Sequence, residues 1–228
     1  MSKDVIQILS ERNRAILNKL RQRAMANGVS ADKVQPGFLR VAMLCDAAKS
    51  TYEFNIKKDQ GTSLAHDRKL DINDSFVVTD LGMMLLSESP ATPGVGLLQT
   101  YPNNTVFAAV AGEITPAHYN IFYNGNYRVK VGDTVYTEAI PTNDMLCIRT
   151  TQQSAAGNFS ERFGKDGTIQ LTPDITLNGS AKNEITLNVP TFAGLQIQHT
   201  TAATRNYVVF FAYGFLISGG SKVGSMSN

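Results

Sequence analysis

Apolar positions along this chain follow two rhythms. Between Ser2 and Ala26, the residues Val5, Ile6, Leu9, Ile16, Leu17, Leu20 and Ala24 recur at steps of three and four, which puts them on one stripe of an α-helix. Ser2 can cap its start, and Asn27-Gly28 ends it. A helix with a single apolar stripe is not stable alone, so it must dock on its own β-body or on another subunit. In the connector from Gly28 to Lys49, Pro36-Gly37 marks a turn. Phe38 to Cys45 reads as a short strand or a helix, because a brief apolar run does not distinguish them.

After Ser50 the period changes to two. Thr51 to Ile56 alternates through Tyr52, Phe54 and Ile56, and Phe76 to Leu86 forms the next strand with Gly82 as a bulge or bend. Further strands are expected over Thr105–Ala111, Tyr119–Tyr123, Tyr127–Val131, Thr134–Ile140, Asp144–Thr150, Thr168–Leu171, Glu184–Val189 and Leu195–His199. Asn206 to Ile217 is apolar on both faces, as in a strand covered on both sides or meeting a neighbouring subunit. Tyr123-Asn124-Gly125-Asn126-Tyr127 predicts a tight hairpin, Gly132-Asp133 a second turn, and 57–69, 88–96 and 151–167 are polar loops.

Short strands at intervals of about 8–15 residues argue for a mainly β protein, an antiparallel β-sandwich. The count and the long connections fit a jelly-roll-like pair of facing sheets, carrying an N-terminal amphipathic helical arm. The expected organisation is a basic helical arm and connector over 1–49, a sandwich over 50–218 and a flexible tail over 219–228.

Charge sharpens the division. Residues 1 to 49 hold nine Lys/Arg against four acids, whereas the remainder holds twelve against fifteen, so a net of +2 hides a basic arm on a slightly acidic body. Such an arm meets a polyanion or an acidic neighbour, or is simply a solvated helix face. Only 18% of residues are charged, and the polar share comes largely from Asn, Thr, Ser and Gln. Neutral polar surfaces suit proteins that pack against copies of themselves, since every buried charge needs a partner.

Cys45 and Cys147 sit among apolar neighbours and read as two buried free thiols. Met1-Ser2-Lys3-Asp4 lacks a secretory apolar core, and the apolar stretch Tyr207–Ile217 falls short of the roughly 20 residues a spanning helix needs. Synthesis in a cytoplasm and no membrane span are expected.

Catalytic patterns are sparse. His66, His118 and His199 are isolated, with His66 read as solvated and the other two as partly buried and hydrogen-bonded. Asp71-Ile72-Asn73-Asp74 offers hard oxygens, yet it departs from a calcium loop and reads as a turn whose side chains cap backbone amides. Gly164-Lys165 is followed by Asp rather than Ser or Thr, so it is no phosphate cradle. Neither enzymatic activity nor a cofactor or metal site is expected.

The basic amphipathic arm, the Asn/Thr-rich strand succession and the apolar last strand together resemble structural proteins of bacterial virus particles, especially capsid components with a jelly-roll body. Leu70 to Asp80 and Tyr101-Pro102-Asn103 share that texture. The resemblance implies a bacteriophage virion protein that self-assembles, with copies of itself, other virion proteins and packaged nucleic acid as partners. Leu9, Ile16 and Leu20 would then dock the helix, and Arg12, Arg14, Arg21 and Arg23 would meet nucleic acid or an acidic partner surface. The rivals are a receptor- or carbohydrate-binding spike using the Tyr101–Asn104 and Tyr123–Tyr127 loops, and a hydrolase built on His118 or His199.

Overall fold

The computed structural model describes residues 11–58, 64–103, 106–107, 116–148, 167–197 and 204–220. Helix α1 (Glu11–Ala26) precedes strands β1 (Val34–Leu44), β2 (Thr51–Glu53) and β3 (Ser75–Glu88). A one-turn helix α2 (Asn120–Tyr123) leads into β4 (Asn126–Val131), β5 (Thr134–Pro141), β6 (Thr168–Asn178), β7 (Asn183–Asn188) and β8 (Arg205–Ile217).

Two antiparallel four-stranded sheets result, in the orders β1-β8-β3-β6 and β2-β7-β4-β5. The pairs β1·β8, β2·β7, β3·β6 and β4·β5 make the chain a long hairpin, rolled so that alternate pairs fall in opposite sheets. Between the sheets lies an aromatic centre in which Phe54, Tyr127 and Phe210 sit 5.7–6.1 Å apart, ring centre to ring centre. Such tilted contacts add about 0.5–1.5 kcal/mol per pair beyond area burial.

β8 shows why its sequence is apolar on both faces. Val208, Phe210 and Ala212 face the sandwich core, whereas Val209, Phe211, Phe215 and Ile217 face outward and are still buried. Helix α1 covers one end of that outer face, placing Leu17, Leu20 and Ala24 on Val34, Val77, Phe215 and Ile217. Loop residues Leu64 and Leu98 cover the other end, over Met84, Leu86 and Val209. The β3 register shifts between Val78 and Asp80, so the bulge falls at Thr79 rather than Gly82. Gly82 instead lets Thr168 come close, since a Cβ there would lie 2.8 Å from its methyl.

Several local expectations are corrected. Tyr119–Tyr123 is not a strand but a 3₁₀ turn running into α2, and Asp144 lies in a second 3₁₀ turn, Thr142–Met145. Asn124-Gly125 joins α2 to β4 instead of closing a hairpin. A Cβ at Gly125 would collide with the Asn188 carbonyl oxygen, so this glycine serves close approach to the end of β7. Leu195–Ile197 is not in a strand, and β6 continues past Leu171 through Pro173. Proline removes a donor, which an edge strand tolerates. The sandwich also begins earlier than the charge split suggests, because β1 pairs with β8 along its whole length from Val34. The expected strand at 105–111 and the loop at 151–167 fall almost entirely outside the described residues.

Candidate functional site

The sequence directs attention to the basic helix. Leu17 and Leu20 are buried and Ile16 packs beside them, all against the chain's own first sheet, while Leu9 lies outside the described residues. Arg12 is half-buried and turned inward. Its Nη2 donates to Asp174 Oδ1 at 2.7 Å and to the Leu171 carbonyl, both on β6. Burial pushes the Asp174 carboxyl above its ordinary value, with Arg12 pulling it back down. Arg14 and Arg21 are half-buried, and Arg23 is exposed in the last turn, where the helix dipole favours a cation. The four arginines therefore divide: Arg12 ties the helix to its own body, and Arg23 faces solvent.

A second feature escapes sequence reasoning. The segment Leu64–Leu70, whose Ala-His-Asp-Arg-Lys run reads as a solvated loop, is strapped across the outer edge of β1. Arg68 and Arg40 exchange backbone hydrogen bonds of 2.8 and 3.0 Å. Asp67 accepts from the Ala42 and Leu64 amides, at 3.1 and 3.0 Å. The Arg68 guanidinium lies 5.9 Å from the centre of the Phe38 ring, whose other partner is Phe211, stacked at 5.4 Å and 6°. His66, expected in solvent, is instead largely buried, with Nε2 3.5 Å from the buried Glu88 carboxylate. Desolvation lowers the Arg40 guanidinium from its ordinary value, against the pull of Asp67 and Glu88. No local signal announces this strap, because its apolar contacts belong to residues far away in sequence.

Consequently the first sheet offers little open edge. Pro36 has no N–H to donate, Arg68 occupies Arg40, and Asp67 occupies the Ala42 amide. At the opposite edge, β6 carries Pro173 and the Arg12 contact. Edge strands blunted in this way resist uncontrolled pairing with other chains. Two grooves of about 540 and 500 Å³ flank the strap, and Lys69 lines both.

The remaining candidates resolve into structural parts. Asp71 Oδ1 accepts from the Asn73 amide and Asp74 Oδ1 from the Gly219 amide, so the 71–74 carboxylates hold turns. The first of these contacts, with Lys58 close by, holds the Asp71 carboxyl below its ordinary value. His118 Nδ1 accepts from the Gln196 amide and its ring meets the edge of Phe192; His199 lies outside the described residues. Tyr123 and Tyr127 are buried, which removes two aromatics from the proposed sugar-binding loops. Cys45 is buried and free, and burial raises its thiol well above the ordinary value; Cys147 is free and half-buried. Among the described residues, no three His, Cys, Asp or Glu side chains cluster as metal ligands, and no helix is long and apolar enough to cross a membrane.

Compared with known proteins, the chain matches no family model, no curated protein and no solved structure.

Proposed function

We propose that the chain is a non-enzymatic structural protein of a virus particle, a subunit with a jelly-roll body that assembles with copies of itself into a shell or a shell-associated layer. The observation carrying this reading is the strand order, β1-β8-β3-β6 over β2-β7-β4-β5. A hairpin rolled into two facing four-stranded sheets is the arrangement of jelly-roll domains, among which viral capsid subunits are prominent. The same fold serves sugar binding and metal-dependent chemistry, so function has to come from surfaces. Here the surfaces favour assembly. Blunted outer edges on the first sheet keep the subunit from polymerising through strand addition, leaving faces and loops as the contacts that symmetry can repeat.

In this reading α1 is a clamp rather than a swinging arm. Its stripe is committed to its own sandwich, and the exposed Arg23 is the arginine presented to packaged nucleic acid or to an acidic neighbour. Sedimentation velocity of the full chain over a concentration series tests the proposal. Assembly into species of defined copy number supports it. A chain that stays single at the highest concentration overturns it.

A further inference from the structure

The grooves of about 540 and 500 Å³ open in succession along the outer edge of β1. Pro36 to Leu39 line the first and Val41 to Leu44 the second, and the strap crosses between them where Arg68 pairs with Arg40. At about 3.3 Å per residue, Pro36 to Leu44 is a track of about 26 Å.

The charge of this track runs against that of the body around it. Lys58, Arg68 and Lys69 line the first groove, and Lys49, Lys69 and Arg205 the second. Three acids share the lining, Glu53, Asp67 and Asp74. Asp67 is turned to the Ala42 and Leu64 amides and Asp74 Oδ1 to the Gly219 amide. Five cations against three acids leave the track positive, although residues 50–228 as a whole carry fifteen acids against twelve bases. Lys49, Lys58, Arg68 and Arg205 are exposed, and Lys58 also reaches Asp71 at 3.4 Å.

The spacing points to a class of ligand. Cations spread along a track suit a polyanionic chain better than a single phosphate or carboxylate, which asks for charges converging on one point. Arg68 adds planar recognition. Its backbone is fixed by two hydrogen bonds to Arg40, and its guanidinium is held 5.9 Å from the centre of the Phe38 ring, itself stacked on Phe211. A guanidinium plane set on an aromatic ring is a surface for a nucleobase, and an acidic peptide has no such face to bring to it. A duplex keeps its bases stacked inside, so only an unpaired strand can use this surface.

We propose that the β1 edge binds single-stranded nucleic acid, with phosphates on Lys49, Lys58, Lys69 and Arg205 and a base stacked on Arg68. This deepens the virion reading by placing its nucleic-acid partner on the edge of the sandwich.

Fluorescence anisotropy of a labelled oligothymidine of about 12 nucleotides, titrated with the full chain over a salt series, tests the site. The intact chain should bind with a slope of log K against log salt near about −2.8, about 0.7 for each of four phosphate contacts. Lys49→Gln/Lys69→Gln should weaken binding about 25-fold at about 0.1 M salt and flatten the slope by about 1.4. Arg68→Lys keeps the charge and loses the plane, so binding should fall about 10-fold with the slope unchanged. Lys182→Gln, on the turn before β7, should bind as the intact chain does, and circular dichroism checks that each variant is folded. Absent binding, no loss in the groove variants, or an equal loss in Lys182→Gln overturns the proposal. So does a polyglutamate peptide or the matching duplex that competes as well as the single strand. Sedimentation velocity of the same protein reads assembly separately: a chain that binds but stays single keeps the site and loses the shell reading, and one that assembles without binding does the reverse.

Discussion

Leu17→Ala probes the finding that the helix is docked on its own body. Leu17 is 1% exposed and shares a cluster with Leu20, Ala24, Val34, Val77, Phe215 and Ile217. Truncation removes three buried carbons, a transfer loss of about 2.4 kcal/mol at about 0.8 kcal/mol per methylene. The space left under the helix raises the expected cost to about 3–4 kcal/mol. Urea unfolding followed by circular dichroism reads this as a lower midpoint at unchanged slope. Because both sides of the contact belong to one chain, the loss should be the same at concentrations where sedimentation reports a single chain and where it reports an assembly. A loss below about 1 kcal/mol, or one that disappears on dilution, refutes the reasoning and returns the stripe to a neighbouring subunit.

Three further outcomes follow from individual side chains. Tyr119 donates its hydroxyl to the Ile197 carbonyl at 2.7 Å and accepts from Asn206, whereas the buried Tyr127 hydroxyl has no hydrogen-bond partner among the described residues. Tyr119→Phe should cost about 1–2 kcal/mol and Tyr127→Phe nothing, or stabilise by up to about 1 kcal/mol, by the same unfolding assay; equal losses would contradict the assignment. Folding raises the Asp174 carboxyl, so its contribution is fully present below the unfolded value and is lost as pH rises through the folded one. Asp174→Asn should therefore be neutral or stabilising near pH 7 by less than about 1 kcal/mol despite breaking the Arg12 pair, and the difference should shrink toward pH of about 4; a clear loss at pH 7 would be inconsistent. A thiol reagent should modify Cys147 in the native chain and reach Cys45 only on unfolding, since Cys45 is fully enclosed and its thiolate disfavoured.

Legibility in the sequence tracked how local each cause is. The stripe Ile16, Leu17, Leu20, Ala24 and the doubly apolar run in β8 were readable because periodicity reports burial directly. Phe38–Cys45 was ambiguous alone and became β1 through pairing with β8, a partner some 170 residues away. Tyr119–Tyr123 misled because alternating aromatic and β-branched residues suggested a strand, whereas Tyr119, Ile121, Phe122 and Tyr123 are all buried in one compact turn. Asn124-Gly125 misled for a related reason: the glycine answers a steric demand from Asn188, which no local pattern reveals. Pro173 concealed the second half of β6, since a breaker is acceptable on an edge. For the surfaces, the basic helix was visible, but Arg12's commitment to Asp174, the His66–Glu88 strap and the grooves along β1 depend on residues brought together only by the fold.

A reconstruction by electron cryomicroscopy of the purified full chain tests the central claim most directly. The account predicts closed assemblies in which each subunit keeps its rolled double sheet and docked helix. Isolated single chains, or a small molecule gripped by converging side chains between the sheets, would contradict it.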